Sequence, residues 1–260
     1  MLRARIIPCL LVRNGGLVKT RKFADDKYVG DPINAVRIFN EKEVDELIVL
    51  DIDATAQNRE PDYKMIENLA AECRMPLCYG GGIRSASQAK RIMNLGVEKI
   101  SLSTSAISCP SLVTELAEQV GSQSVVVTLD VRKRALGGYR IFTLNANNDS
   151  GICPVEFSQE LQRLGVGELV INSIDNDGMM KGYDLDLADR IRRVVRVPLT
   201  LLGGAGSIED IGAAVARLGV IGAAAGSMFV FKGVYRAVLI SYPSRQQRDL
   251  LQCKTVSGQK

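Results

Sequence analysis

The chain contains the stretch MPLCYGGGIRSASQAKRIMNLGVEKISLSTSAI, residues Met75–Ile107, in two versions. The second version, VPLTLLGGAGSIEDIGAAVARLGVIGAAAGSMF, covers Val197–Phe229 without a gap, at an offset of 122 residues. Each reads as a strand, a glycine turn, a helix, a Leu-Gly step, a second strand and a turn of small residues. The same offset carries ELIVLDID, from Glu46, onto ELVINSID, from Glu168. A long repeat of several elements indicates duplication, so the chain consists of two equivalent halves.

Short β-branched runs alternate with amphipathic stretches along the whole chain, a pattern typical of parallel strands joined by helices. Strands are predicted at Ala4–Val12, Glu46–Asp53, Pro76–Gly80, Lys99–Leu102, Gln123–Val131, Glu168–Asn172, Pro198–Leu202 and Ile221–Ala224. Helices are predicted at Asp31–Glu41, Pro61–Cys73, Ser85–Asn94, Cys109–Val120, Pro154–Leu164, Asp184–Val194, Ser207–Arg217 and from Phe231 onward.

Eight βα units in two fourfold halves predict a single α/β domain, a (β/α)8 TIM barrel with an internal twofold half-barrel repeat. The halves cover roughly residues 1–122 and 123–242, and the polar tail 243–260 is expected to be a frayed appendage. An open doubly wound sheet is the alternative, but it gives no reason for the twofold repeat.

The composition favours a cytoplasmic enzyme acting on small molecules. The net charge of +4 is spread along the chain, so we expect neither a nucleic-acid nor a membrane partner. The six cysteines show no metal-ligand spacing and no secretory signal precedes them, so we expect reduced cysteines and no metal. Histidine is absent, which leaves Asp, Glu, Lys, Cys and Tyr for proton transfer. No cofactor is predicted.

Glycine turns follow the third and seventh predicted strands, and each leads into a helix that begins at Ser85 or Ser207. Backbone N–H groups at a glycine turn and at a helix N-terminus bind anions, and the C-terminal ends of barrel strands carry the chemistry. One such loop alone could be a plain tight turn, but matched loops in both halves favour a ligand with two phosphate ends. The expected phosphate-binding residues are Gly81, Gly82, Ser103, Thr104, Gly203, Gly204, Gly226 and Ser227.

Carboxylates lie between the two glycine turns, and Asp130 is the best candidate acid/base because it ends the fifth strand. The alternative is an aspartate that caps the next segment or pairs with Lys19 or Arg132. Aligning IIPCLLV with VVVTLDV puts Leu11 opposite Asp130, so the first half lacks the acid. The other carboxylates of this group are Asp51, Asp53, Asp175 and Asp177.

Residues 2–240 resemble the cyclase subunit of imidazole glycerol phosphate synthase. The matching stretches are RIIPCLLV, GDPINAVRIFNEKEVDELIVLDIDA, PLCYGGGIRS, GVEKISLST, FSQELQRLGVGELVINSIDNDGMMKGYDL and LGGAGSIED. The isomerase that precedes this enzyme in the pathway is less similar, because it lacks the IIPC stretch and the GSQSVVV strand.

The resemblance implies a glutaminase partner, bound as a heterodimer at the N-terminal face, whose ammonia passes along the barrel axis. The ammonia meets a bisphosphate ribulosyl intermediate at the C-terminal face and gives imidazole glycerol phosphate and an aminoimidazole carboxamide ribotide. Lys19, Asp51, Asp177 and Gly178 match substrate-binding positions. The family's charged gate matches Arg5, Glu46, Lys99 and Glu168, although ordinary solvation of the barrel floor is an alternative reason for charges there.

The sequence departs from the family at the first of its two catalytic aspartates, where it has Leu11, and at an asparagine, where it has Ser103. Loss of a positioned acid/base costs about 10²- to 10⁴-fold in rate. Three hypotheses follow. The chain is a working cyclase subunit of histidine biosynthesis in which Asp51 or Asp177 covers the missing role; or a paralogue that supplies ammonia to a sugar amidotransferase of surface polysaccharide (O-antigen) synthesis; or a scaffold without catalysis. The gate residues argue against the third hypothesis and Leu11 argues against the first.

Overall fold

A closed ring of parallel strands, surrounded by helices, is the architecture in the computed structural model, which describes residues 3–256. The barrel strands are β1 (Arg5–Arg13), β2 (Leu47–Asp51), β3 (Leu77–Gly80), β4 (Lys99–Leu102), β5 (Val125–Lys133), β6 (Glu168–Ser173), β7 (Leu199–Leu202) and β8 (Gly222–Ala225). The helices are α1 (Pro32–Glu41), α2 (Tyr63–Glu72), α3 (Ala86–Asn94), α4 (Ser111–Val120), α5 (Pro154–Arg163), α6 (Leu185–Arg192), α7 (Ile208–Leu218) and α8 (Arg245–Val256). Shorter helical turns are Thr104–Ser108, Ser122–Ser124, Ile174–Asn176 and Ser227–Val230.

Each barrel strand pairs in parallel with its neighbours in chain order. The ring closes where β8 pairs with β1, with Arg5 opposite Gly222. Continuous pairing around the ring, including β5 with β6, excludes the open doubly wound sheet. The predicted (β/α)8 barrel is therefore confirmed.

Strand alternation divides the core into two layers. On β1, Ile6 and Leu10 face the helices, whereas Ile7 and Cys9 face the barrel axis. Successive side chains of a strand point to opposite faces, so each strand serves both layers. The inner layer consists of Ile7, Cys9, Ile48, Cys78, Val126, Val170, Leu202 and Ala224.

The repeated glycine turns end in capped helices. The Ser85 hydroxyl accepts a hydrogen bond from the Gln88 amide at the start of α3. At the start of α7, Ser207 and Asp210 form a capping box, in which each side chain accepts from the other residue's backbone N–H. Capping residues satisfy amides that the first helical turn leaves unpaired, so these serines set where both helices begin.

Two hairpins were missed by the sequence prediction, and both extend the C-terminal face of the barrel. Gly16–Arg21 pairs with Ala24–Gly30 after β1, and Tyr139–Thr143 pairs with Asn148–Asp149 after β5. They occupy corresponding places in the two halves. The strands of both hairpins are short and polar on one face, which is also typical of connecting loops, so the sequence pattern did not predict them as strands.

The prediction of a helix from Phe231 onward was wrong. The segment forms an antiparallel hairpin, Phe231–Lys232 with Ala237–Val238, and the helix begins only at Arg245. The expected fraying of the polar tail is also wrong for residues 245–256, which form this helix, whereas residues 257–260 lie outside the described residues. Leu251 is buried, and Arg248 donates a hydrogen bond to Asp45 at the floor of the barrel, which ties α8 to the neighbouring elements.

Tyr242 connects this C-terminal segment to the floor. Its hydroxyl donates to the Ile6 carbonyl at 2.8 Å and accepts from the Asp45 amide at 3.2 Å, while its ring packs on Phe229. We expect Tyr242→Phe to lower the free energy of unfolding by about 1–3 kcal/mol, because two buried backbone groups lose their partner. Chemical denaturation measures the change. Tyr28→Phe, at a side chain 67% exposed, is the control and should change nothing; equal stability of both variants would contradict the contact.

Candidate active site

The C-terminal ends of the strands surround one large cavity, which we call the mouth. Each residue that the sequence analysis expected to bind substrate or phosphate, or to act in catalysis, lines it, and so does Leu11. The cavity thus brings together residues far apart in the chain. These residues are Leu11, Lys19, Asp51, Gly81, Gly82, Ser103, Thr104, Asp130, Asp177, Gly178, Gly203, Gly204, Gly226 and Ser227.

Two of the five candidate carboxylates lie outside the mouth. Asp53 forms an ion pair with Arg13 at 2.9 Å, and Asp175 accepts a hydrogen bond from the Lys133 amide at 2.9 Å. Both stabilise the segments around the mouth instead of facing a ligand. In the sequence, Asp53 stands close to Asp51 and Asp175 stands close to Asp177. Nothing in this spacing distinguishes the two carboxylates that lie outside the mouth from those that line it.

Asp130 is half-buried at the mouth, and its carboxylate accepts two hydrogen bonds. Asn172 Nδ2 donates at 2.9 Å and Ser103 Oγ at 3.3 Å. Burial raises the pKa of Asp130 to about 7, although these two hydrogen bonds lower it, and the charge of Asp177 adds to the rise. A carboxyl that titrates near neutrality can both accept and donate a proton, which fits a general acid/base.

The alternative roles for Asp130 do not match the geometry. Among the described residues, neither Lys19 nor Arg132 pairs with it. Lys19 donates to the Cys9 carbonyl, and Arg132 lies over the Phe142 ring, 4.7 Å from its centroid. The Asp130 carboxylate is therefore held by neutral donors and stays available to a ligand.

The strand register shows that Leu11 occupies the place of Asp130 in the other half. Leu11 pairs with Leu50 across β1 and β2, and Asp130 pairs with Asn172 across β5 and β6. Leu50 and Asn172 correspond in the repeat at the 122-residue offset. The acid–amide pair Asp130–Asn172 in one half thus corresponds to the leucine–leucine pair Leu11–Leu50 in the other half. Sequence analysis found Leu11 but missed Asn172, whose amide oxygen is buried without a partner.

The glycine turns require glycine for backbone reasons in both halves. Gly82 has φ 74° and Gly203 has φ 86°, which is left-handed backbone that favours glycine. A Cβ atom on Gly81 would lie 2.6 Å from the Asp51 carbonyl oxygen, and one on Gly204 would lie 2.1 Å from the Gly182 carbonyl oxygen. Turn geometry alone explains these residues, so a phosphate role depends on where the turns lie. Both line the mouth, each before a capped helix.

Three further polar residues lie around the mouth. Asp177 accepts from the Thr20 hydroxyl at 2.6 Å, and burial raises its pKa. Lys19 is buried, and burial lowers its pKa. Asp51 accepts from the Ala54 amide at 3.0 Å and so also holds the turn after β2. None of the three occupies the place of the missing acid at Leu11.

The charged residues predicted as a gate form a closed ring at the opposite end of the barrel. Lys99 Nζ donates to Glu46 at 2.8 Å and to Glu168 at 2.9 Å. Arg5 Nη2 donates to Glu168 at 2.7 Å, and Arg5 Nη1 reaches Glu46. The two glutamates are 4% and 5% exposed, so solvation of the floor does not account for the ring. Thr200, which the sequence analysis missed, also donates to Glu168.

The ring holds Glu168 ionised. Burial alone would raise the pKa of Glu168, but hydrogen bonds from Arg5 and the charges of Arg5 and Lys99 lower it to about 2. The same glutamates raise the pKa of Lys99 despite its partial burial. Two cations and two anions therefore alternate around the axis as a neutral plug, separated from the mouth by the apolar inner layer.

Within the described residues, no group of three His, Cys, Asp or Glu side chains could hold a metal ion. No helix in residues 3–256 has both the length and the apolar character needed to cross a membrane.

A barrel with an acid at its mouth, matched glycine turns and a charged floor defines an enzyme of the (β/α)8 class. The chain belongs to the histidine biosynthesis protein family, whose model matches residues 5–236. It is 57% identical over 249 residues to the "Putative imidazole glycerol phosphate synthase subunit hisF3" of Vibrio vulnificus, covering 95% of this chain and 96% of that protein.

Two further relatives carry related names. The "Putative imidazole glycerol phosphate synthase subunit hisF2" of Pseudomonas aeruginosa is 53% identical over 250 residues, covering 96% of this chain and all of that protein. The "Imidazole glycerol phosphate synthase subunit HisF" of Alkaliphilus metalliredigens is 37% identical over 234 residues, covering 90% and 93% of the two chains.

The environment of Asp130 gives a titration test. Its pKa is raised from an ordinary 3.8 to about 7, so its contribution to stability is fully present below the unfolded value and is lost as the pH rises through about 7. Relative to Asp130→Asn, the free energy of unfolding of the wild-type protein should therefore fall as the pH rises from 3.8 to about 7. Asn172→Leu removes a donor to the carboxylate and should raise the pKa further.

Carbon-13 NMR of labelled aspartate measures this titration, with Asp130→Asn identifying the resonance. Asn94→Leu, at the end of α3, is the control and should leave the titration unchanged. A pKa near 4 in the wild-type protein would refute the assignment of Asp130 as a near-neutral acid/base.

Proposed function

We propose that this chain is the cyclase-type subunit of an imidazole glycerol phosphate synthase. It takes ammonia from a glutaminase partner and uses it on a bisphosphate ribulosyl substrate, giving imidazole glycerol phosphate and an aminoimidazole carboxamide ribotide. One observation carries the proposal: the charged ring and the mouth lie at opposite ends of one barrel axis. The names of the relatives support the same activity.

The ring suits a gate because it is neutral as a whole and built from ion pairs. Displacing Lys99 from its two glutamates would open the axis on the floor side. Behind it, the inner layer of apolar side chains excludes ions but offers no charge that would retain neutral ammonia. A glutaminase that docks on the N-terminal face would deliver ammonia directly to this ring.

At the mouth, the glycine turns of the two halves hold the two phosphate groups of the substrate. Asp130 acts as the acid/base, and Asn172 and Ser103 orient its carboxylate. Cyclisation that removes a proton on one side of the forming imidazole ring and supplies a proton on the other side needs two acid/base groups. Asp130 provides one of them, but neither Leu11 nor Leu50 can provide the other, so the cyclase reaction is slow in this chain.

We also propose a second candidate function, which the Leu11–Leu50 pair motivates. A conduit with an intact ring and a weakened mouth can supply ammonia to an acceptor on another protein. A sugar amidotransferase of surface polysaccharide synthesis is the acceptor that we propose for this case. Its contact surface would be the C-terminal face, where the ammonia emerges.

Docking of the glutaminase gives a prediction about the N-terminal face. Arg74 and Arg196 are exposed, correspond in the repeat, and lie in the loops before β3 and β7. We expect the wild-type chain to co-purify with a glutaminase subunit and to stimulate its hydrolysis of glutamine. The double variant Arg74→Glu/Arg196→Glu should weaken binding at least about tenfold, because charge reversal opposes a complementary interface.

The control is Lys22→Glu/Arg134→Glu, which reverses two exposed charges on the C-terminal face. It should bind the glutaminase as the wild-type chain does. Failure of the wild-type chain to bind any glutaminase would remove the conduit from the proposal. If only the control variant binds the glutaminase more weakly, the partner docks on the C-terminal face and the proposed docking face is wrong.

The missing acid gives a prediction about rate. With ammonium salt and the bisphosphate ribulosyl substrate, the wild-type chain should turn over at least about 100-fold more slowly than a family member with both aspartates. Leu11→Asp should recover part of that loss, and Asp130→Asn should abolish the remaining activity. Leu50→Asp, which puts an acid on the neighbouring strand, is the matched control and should recover nothing. An ordinary rate with Leu11 in place would refute the need for a second acid.

A further inference from the structure

The hairpin Phe231–Lys232/Ala237–Val238 carries an arginine to the edge of the mouth. Arg236 Nη2 donates to the Gly178 carbonyl at 3.2 Å and to the Ser227 hydroxyl at 3.4 Å. Gly178 and Ser227 both line the mouth on the side of the second half. The Arg236 guanidinium therefore lies against the turns where the second phosphate is expected.

The backbone of Arg236 does not explain why an arginine is there. Its φ is 50°, and its amide donates to the Gly233 carbonyl at 3.0 Å, which closes the turn of the hairpin. Left-handed backbone costs a residue with a Cβ atom roughly 1–2 kcal/mol, and glycine fits it without that cost. The side chain must therefore supply whatever this position contributes.

Two cations, Lys27 and Arg21, lie near Arg236, and Asp177 is the acid whose charge acts on it. Lys27 and Arg236 lie over the same Phe231 ring, 5.3 Å and 4.8 Å from its centroid. Burial and the charge of Arg21 lower the pKa of Arg236, and the charge of Asp177 opposes them only in part. Among the described residues, no carboxylate forms a salt bridge with Arg236. Arg236 is partly buried and its two neighbouring cations are exposed, so this edge of the mouth carries positive charge that attracts an anion.

One buried N–H group of the guanidinium also lacks a hydrogen-bond partner. Arg236 Nε is buried and has no hydrogen-bond partner. A buried donor without an acceptor costs about 1–3 kcal/mol, and more when it belongs to a charged group. The contact between Arg236 Nη2 and the Ser227 hydroxyl links this guanidinium to the place where the second phosphate is expected.

The first half has no counterpart of this arginine. α7 is longer than α3, and the strands that follow them, β4 and β8, begin at Lys99 and Gly222, so the offset in this part of the chain is 123 residues and Arg236 corresponds to Val113 in α4. Val113 is a buried residue of the hydrophobic core. The hairpin therefore makes the two phosphate ends of the mouth chemically different.

We propose that Arg236 binds the phosphate group held at the glycine turns of the second half and sets the affinity of that end of the mouth. The inference rests on the proposed function, which assigns a phosphate to the Gly203–Gly204 turn. It adds a specificity-determining residue that neither the repeat nor the glycine turns contain.

Titration calorimetry with inorganic phosphate, together with crystals soaked in phosphate, tests the assignment. The wild-type protein should bind two phosphate ions, one at each glycine turn. Arg236→Gly should weaken the ion at the second-half turn at least about tenfold, because a charge-assisted donor is lost, and leave the first-half ion unchanged. Arg236→Lys keeps the charge without the planar fork and should lie between the two.

Two comparisons separate binding from folding. Arg236→Gly suits the left-handed backbone, so its melting temperature should not fall. Arg91→Ala removes an arginine 3.6 Å from the Tyr63 ring centroid on the flank of the barrel and should bind both ions as the wild-type protein does.

The outcomes distinguish this inference from the proposed function. Wild-type affinity at both turns in Arg236→Gly would overturn the role of Arg236 and leave the proposed function standing. Equal weakening at both turns, with a lower melting temperature, would make Arg236 a structural residue and also overturn its role. Binding of phosphate at neither turn of the wild-type protein would remove the proposed function, and this inference with it.

Discussion

The closed parallel register of the eight strands determines where each functional side chain of this protein lies. On β1, Arg5, Ile7, Cys9 and Leu11 point in turn toward the axis, from the floor to the mouth. At about 3.3 Å per residue, those positions span roughly 20 Å. A shift of one residue in the pairing would turn all of these side chains toward the helices. The charged ring, the apolar inner layer and the mouth are therefore consequences of one register.

The two ends of the axis have diverged in different ways. At the floor, Glu46 and Glu168 are equivalent positions and share two cations, Arg5 and Lys99, which both come from the first half. At the mouth, the equivalent pairs are Leu11–Leu50 and Asp130–Asn172, which have opposite chemistry. The floor depends on both halves to balance buried charge, because an unpaired buried charge is strongly destabilising. The mouth has no such balance to keep, so one half can change alone.

The barrel followed from the sequence because the repeat fixed both the number and the order of its elements. Asp130 and Leu11 followed as well, since strand alternation decides which residues face the axis. Asp53 and Asp175 could not be separated from the other carboxylates, because the arginines that pair with them, Arg13 and Arg132, are distant in the chain and lie just past the ends of the predicted strands. The hairpin at Phe231 was missed because its two paired positions per strand carry too short an alternation to read. Arg236 was missed with it.

The difference between Asp130–Asn172 and Leu11–Leu50 gives the cavity a direction. For a ligand with a phosphate at each end, a mouth with two identical halves would accept either of two reversed poses with equal affinity. Here the same reversal would exchange an acid and an amide for two leucines, and the reacting atoms would meet a hydrocarbon surface. In this duplicated fold, four side chains on two pairs of adjacent strands thus help to distinguish the head of such a ligand from its tail.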